Sequence, residues 1–303
     1  MDWTAEITAA AARLQGHIVR TPLLDSWTLA DIPLTLKLEQ MQHTGSFKAR
    51  GAFNNLLSMD VPKAGVVAAS GGNHGAAVAY AARQLGHRAT IFVPEMAGPA
   101  KIALIERAGA DLHVVPGVYA NALEQAQAFE ARTGAMQIHA YDAPATVAGQ
   151  GTCFAEWDAQ GLVADTVLIA VGGGGLLSGA LAWWGDKRRV IAVEPETSCA
   201  LHAAQQAGAP TDVDVSGVAA NALGARRIGQ IAFDLASNTP SVLVTDDAIT
   251  DAQRRLWQDH RQLVEPAGAA ALAALTSGAY RPEPGERVAV LVCGGNIAPD
   301  PLG

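Results

Sequence analysis

A lysine stands directly behind a phenylalanine in Gly45-Ser46-Phe47-Lys48-Ala49-Arg50, at a loop that enters a helix after the alternating strand Leu34-Thr35-Leu36-Lys37-Leu38. Most lysines are solvated surface charges, so Lys48 becomes a candidate for chemistry only through two further segments. Ser70-Gly71-Gly72-Asn73-His74-Gly75 follows the apolar run Val66-Val67-Ala68-Ala69 and precedes an alanine-rich helical stretch from Ala76 to Leu85. Strand, glycine turn and helix start bring backbone N–H groups to a focus that suits a carboxylate. Thr166-Val167-Leu168-Ile169-Ala170-Val171, followed by Gly172-Gly173-Gly174-Gly175 and another helix, repeats that geometry. Four consecutive glycines let a backbone wrap a phosphate without Cβ clashes, and they cost more conformational entropy than a tight turn requires.

The elements that must position these groups alternate along the chain. Short β-rich runs at Gly65–Ala69, Ala89–Val93, Asp111–Val115, Val167–Val171, Val190–Glu194 and Val288–Cys293 are separated by alanine-rich helical patterns. Such alternation predicts parallel sheet covered by helices on both faces, with ligands at the carboxyl ends of the strands. No solenoid-length repeat or low-complexity linker interrupts it.

At 303 residues, half of them hydrophobic, the chain can bury one large core or two modest ones. The longest apolar stretches, such as Ala267 to Leu275, fall short of the roughly 20 residues a membrane helix needs. Asp2 and Glu6 at the amino terminus do not read as a signal peptide, and a cytoplasmic location is expected. A net charge of -8 without a basic run argues against nucleic acid and for a small-molecule partner. Cys153, Cys199 and Cys293 are odd in number and far apart, which indicates neither a disulfide framework nor a zinc knuckle. Trp183-Trp184 belongs either to a homodimer face or to the core.

Taken in order, Ser46 to Ala52, Ser70 to His74, Ala148-Gly149-Gln150-Gly151-Thr152, Gly172 to Gly179 and Cys293-Gly294-Gly295-Asn296 resemble the serine/threonine dehydratase and serine racemase branch of the fold type II pyridoxal phosphate enzymes. The matches span nearly the whole chain. The resemblance implies an α/β fold of two open, twisted, mostly parallel sheets flanked by helices, as in the tryptophan synthase β-like enzymes. It implies a large domain from 1–64 and 141–303 and a smaller inserted domain from 65–140. The implied cofactor is pyridoxal 5'-phosphate (PLP), held covalently by Lys48 beside Phe47. Gly172, Gly173, Gly174 and Gly175 are expected to hold its phosphate, Asn73 its ring hydroxyl oxygen, and Cys293 to face the pyridine nitrogen. Ser70, Gly71, Gly72, Asn73 and His74 are expected around the substrate carboxylate, with His74 serving either there or only as a cap of the turn.

Racemising relatives place a serine before the Gly-Asn-His of the carboxylate loop, and this chain has Gly71 there. Ser216-Gly217-Val218-Ala219-Ala220 likewise lacks a hydroxyl that racemases place near the carboxylate. Both departures favour β-elimination. The implied reaction is dehydration and deamination of small β-hydroxy amino acids, L-threonine to 2-oxobutyrate or L-serine to pyruvate. A racemase or a 3-hydroxyaspartate dehydratase of the same family is the alternative. Some members hold a metal with a glutamate after the next strand and an aspartate six residues on; Glu194 matches the first and Ala200 replaces the second, so no metal site is expected and Glu194 reads as a solvated strand end. The short stretch after Asn296 predicts no amino-acid-binding regulatory domain. A nicotinamide dehydrogenase would need Gly-x-Gly-x-x-Gly, but 172, 174 and 177 are Gly, Gly and Leu. A silent PLP-binding protein is the remaining alternative.

Overall fold

The computed structural model describes residues 1–117 and 119–297. These form strands β1 (Leu23–Ser26), β2 (Leu34–Leu38), β3 (Val66–Ala69), β4 (Ala89–Pro94), β5 (Asp111–Val115), β6 (Met136–Gln137), β7 (Thr166–Ala170), β8 (Arg189–Pro195), β9 (Ser241–Val244) and β10 (Val288–Val292). The helices are α1 (Trp3–Leu14), α2 (Lys48–Ser58), α3 (Asn73–Gln84), α4 (Pro99–Ala108), α5 (Tyr119–Thr133), α6 (Pro144–Ala159), α7 (Gly175–Trp184), α8 (Ala200–Ala207), α9 (Ala220–Leu223), α10 (Gln230–Ala236), α11 (Asp246–His260) and α12 (Pro266–Thr276). The predicted strands lie within a residue of their expected ends. The sequence patterns passed over β1, β6 and β9, which are edge strands of two to four residues and carry too few alternating positions to read.

Two sheets form. The larger runs β1-β2-β10-β7-β8-β9 and is parallel except for the β1–β2 pair; the smaller runs β5-β4-β3-β6 and is parallel throughout. In the large sheet β7 and β10 are buried at every residue, which is why they read as continuous apolar runs without alternation. α12 is almost wholly alanine, leucine and glycine and lies buried across that sheet, with Pro266 at its first turn. α2 sends Ala49, Ala52, Phe53 and Leu56 into the core beneath the small sheet, beside Ala76, Val78 and Ile91. That helix therefore shares a core with the 65–140 segment although it precedes it in the chain.

Glycines set the spacing of the central helices. A Cβ on Gly149 of α6 would lie 2.7 Å from the Gly51 Cα of α2, and one on Gly179 of α7 would lie 2.6 Å from the Gly151 nitrogen of α6. The Ala148 to Thr152 motif is thus a helix crossing that seats α2 against α6. A buried ion cluster reinforces the seat. Arg50 donates to both Glu39 oxygens at 2.8 and 2.7 Å, and Lys37 donates to Glu156 at 2.5 Å and to the Thr21 carbonyl at 2.9 Å. Trp183 and Trp184 both donate to Asp158 Oδ2, at 2.8 and 2.9 Å, and Trp184 is buried, so this pair belongs to the α6–α7 contact.

Candidate active site

Lys48 is the first residue of α2, reached through Ser46, which bridges antiparallel to Gly294, and Phe47, whose N–H donates to the Cys293 carbonyl at 3.2 Å. The strand-end loops after β2 and β10 are zipped together, so the lysine and cysteine motifs, 245 residues apart, meet at their backbones. Lys48 Nζ donates to the Ala140 carbonyl at 2.7 Å and sits 5.2 Å from the Phe47 ring centroid. Burial pushes its amine down to about 8. Among the described residues no carboxylate pairs with it.

The next residue after Ala140 leads to the glycine run. A Cβ on Gly173 would lie 2.3 Å from the Tyr141 ring, and one on Gly175 would lie 2.9 Å from the Tyr141 Cα. Gly174 is left-handed at φ 91, and a Cβ there would meet Ala232 at 2.3 Å. The N–H groups of Gly172, Gly173, Gly174 and Gly175 donate to no acceptor among the described residues. Unspent donors at the head of a ten-residue helix form a cradle for an anion. A buried amine and this cradle lie on either side of Ala140-Tyr141, which fits a group carrying both an aldehyde and a phosphate.

In the carboxylate loop, Ser70 N–H donates to the Phe92 carbonyl at 3.0 Å and Gly72 N–H to Ser70 Oγ at 3.2 Å. Two of the expected donors are therefore spent, that of Ser70 in continuing the sheet to β4 and that of Gly72 on a side chain of its own turn. The N–H groups of Gly71, Asn73 and His74 have no acceptor among the described residues and remain for a carboxylate. A Cβ on Gly71 would lie 2.4 Å from the Ala97 Cβ. The His74 ring does not cap the turn: its Nε2 meets the Ile138 carbonyl at 2.9 Å, and burial and then the Lys48 charge push it down to about 3. It is a neutral donor to a core carbonyl.

Asn73 starts α3 and is gripped on both ends of its amide. Nδ2 donates to Glu265 Oε1 at 2.6 Å and Oδ1 accepts from Asn296 Nδ2 at 2.8 Å. Cys293 donates to the Ala267 carbonyl at 3.3 Å, and burial pushes its thiol well up, so it is neutral. Lys101 on α4 donates to the Asn221 carbonyl at 3.3 Å across a small cavity that Glu265 and Asn296 also line; burial pushes its amine down to about 8. The motifs do not point to Glu265, Lys101 or Tyr141. A signal existed for Glu265 alone, as a single charge heading an otherwise apolar helix.

Glu194 is a correction. It is buried rather than solvated, accepting from the Leu201 and His202 N–H groups at 2.8 and 2.9 Å and from Ser241 Oγ at 3.0 Å. Its carboxylate caps α8. Burial pushes it up to about 7 against those three hydrogen bonds.

Sheets, lysine and cradle together define an α/β PLP enzyme of fold type II. The chain belongs to the pyridoxal-phosphate dependent enzyme family, whose model matches residues 14–294, in the serine/threonine dehydratase and serine racemase branch. It is 36% identical over 300 residues to the phenylserine dehydratase of Ralstonia pickettii, covering 96% of this chain and 92% of that one. Among solved structures it resembles maize serine racemase, with a TM-score of 0.93 and 29% identity over 99% of this chain and 95% of the other. It also resembles the T.th. threonine deaminase, with a TM-score of 0.90 and 35% identity over 98% and 99%. PLP is the cofactor, and the branch performs PLP-dependent β-elimination, with racemases close by. No helix among the described residues is long and apolar enough to cross a membrane.

Proposed function

We propose that this chain dehydrates and deaminates small L-β-hydroxy amino acids, converting L-threonine to 2-oxobutyrate and L-serine to pyruvate with release of ammonia. When bound, PLP supplies the electron sink that acidifies the substrate Cα–H. Lys48 would hold the cofactor and, once displaced by the substrate amine, take that proton at its Nζ. Its burial keeps the amine near neutrality, where it is a usable base. The free N–H groups of Gly71, Asn73 and His74 would hold the carboxylate, and those of Gly172 to Gly175 the phosphate. The neutral Cys293 thiol cannot keep the ring nitrogen charged as a carboxylate would, which favours prompt loss of the β-hydroxyl over a long-lived carbanion.

The observation that carries the choice of elimination over racemisation is Gly71. It has no proton to offer on the side of the substrate away from Lys48, and Ala97 fills the space a side chain would need. The test is release of 2-oxo acid and ammonia by PLP-loaded protein from L-threonine, L-serine, 3-hydroxyaspartate and 3-phenylserine, with chiral analysis of the remaining substrate. A 2-oxo acid from L-threonine or L-serine is expected, with Lys48→Ala losing at least a thousandfold in turnover. Inverted amino acid without any 2-oxo acid, or an active Lys48→Ala, would overturn the reading.

A further inference from the structure

Glu265 stands at the head of α12, whose eleven residues carry no charge, and is 5% exposed. Its backbone N–H donates to the Gly294 carbonyl at 3.3 Å, and its carboxylate is wedged so closely against that loop that a Cβ on Gly294 would overlap Oε1. Burying a carboxylate in such a place is costly unless it is hydrogen-bonded. The partner it finds is Asn73 Nδ2, at 2.6 Å.

Two neighbours then decide which way the Asn73 amide faces. Glu265 can only accept from it when ionised, and Asn296 Nδ2, which also donates to the Thr44 carbonyl at 2.7 Å, can only donate. Reversing the amide would set oxygen against carboxylate and NH2 against NH2. In the orientation observed, one Nδ2 hydrogen goes to Glu265 and one is left over. We infer that Glu265 is a positioning residue for PLP: it fixes the Asn73 amide so that its remaining N–H meets the ring hydroxyl oxygen of the cofactor. This rests on the reading of Asn73 as the partner of that oxygen.

The groups that face Glu265 from the elements around it are Lys101 on α4 and Cys293 after β10. The Cys293 thiol is neutral, and Lys101 is half-buried. Burial pushes Glu265 up to about 7, opposed by the Asn73 hydrogen bond and the Lys101 charge. Protonation of Glu265 near neutrality therefore changes the charge behind the amide, and the bound cofactor reports it in its visible absorption.

The experiment loads wild type, Glu265→Gln, Glu265→Ala and Asn73→Ala with PLP, records absorption spectra from pH 6 to 8.5, and measures the PLP Kd by equilibrium dialysis. Wild type is expected to pass through a spectral transition near pH 7. Glu265→Gln keeps an acceptor without the charge and should hold the acid-side spectrum at every pH. Glu265→Ala should match neither limb and bind PLP about tenfold more weakly. If Asn73→Ala alters the spectrum while Glu265→Ala does not, the role of Glu265 falls and that of Asn73 stands. If Asn73→Ala keeps the wild-type spectrum, the reading of Asn73 falls and takes this inference with it. Should Glu265→Ala fail to fold, a transition near pH 7 persisting in Glu265→Gln overturns the proposal.

Discussion

In the proposed role, Lys48 would owe its reactivity to the burial of its amine. Enclosed between the Phe47 ring and the Ala140 carbonyl, it holds a charge poorly, and burial pushes its amine down to about 8. A free lysine near 10.4 would be almost wholly charged at neutral pH. Because the neutral form is the nucleophile, the rate at which apoprotein captures PLP should rise severalfold between pH 7 and 8 and flatten above. Stopped-flow absorbance checks this, and a rate still climbing tenfold per pH unit beyond 9 would refute it. Gly71 is a residue defined by its neighbour. Serine there drives its Cβ against Ala97, so Gly71→Ser alone should lose about 2 kcal/mol of stability, and pairing it with Ala97→Gly should restore most of the loss. Urea melts of both variants decide the point, and chiral analysis of the double variant shows whether a hydroxyl at this position is enough for racemisation.

At the level of elements, the glycines of the Ala148 to Thr152 segment serve contact between helices. α2 carries Lys48 and lies so close to α6 that Gly149→Ala would force its Cβ to 2.8 Å from the Arg50 carbonyl. That substitution should cost about 2 kcal/mol and, by tilting α2, weaken PLP binding as well. A melt and a PLP titration of the same sample test both, and an unchanged PLP affinity would separate α6 from the site. Glu194 performs a comparable service for α8. Its two oxygens are filled by backbone N–H groups, so Glu194→Gln turns an NH2 toward a donor and should destabilise by about 1–3 kcal/mol in urea unfolding. No gain or loss on adding magnesium is expected to accompany it.

Over the whole molecule, loops at the ends of strands from both sheets meet, Asn73 after β3 accepting from Asn296 after β10. We propose that residues 65–140 open and close over the remainder, with α2 staying in the larger body because Gly149 and the buried contacts of Arg50 with Glu39 and Glu156 seat it against α6. Lys101 reaching the Asn221 carbonyl, and Gly72 lying near that same oxygen, are the contacts that such opening would break. Hydrogen exchange on PLP-loaded protein should show amides of β3, β4 and α3 exchanging as one group, distinct from α2, β7 and β10. Exchange of α2 together with β3, β4 and α3 would move the boundary to the amino-terminal side of α2.

The order of motifs determined the family, the cofactor and the parallel α/β class, and it singled out Lys48 as the candidate lysine, because each of these is written in residues that lie within one turn or one strand. Gly172 to Gly175 after Thr166 to Val171 is legible as a candidate cradle from its own residues. Cys293 likewise closes an apolar strand whose burial is legible in its own letters. What tertiary structure decided is every partnership between segments far apart in the chain. Glu265 meets Asn73 across 192 residues, Tyr141 lies over Gly173, and Ala97 fills the space beside Gly71. Glu194, read as solvated, is buried only because α8 and β9 fold over it. Burial and hydrogen-bond pairing set charge, reach and orientation, and both are properties of the packed molecule rather than of any stretch of its sequence.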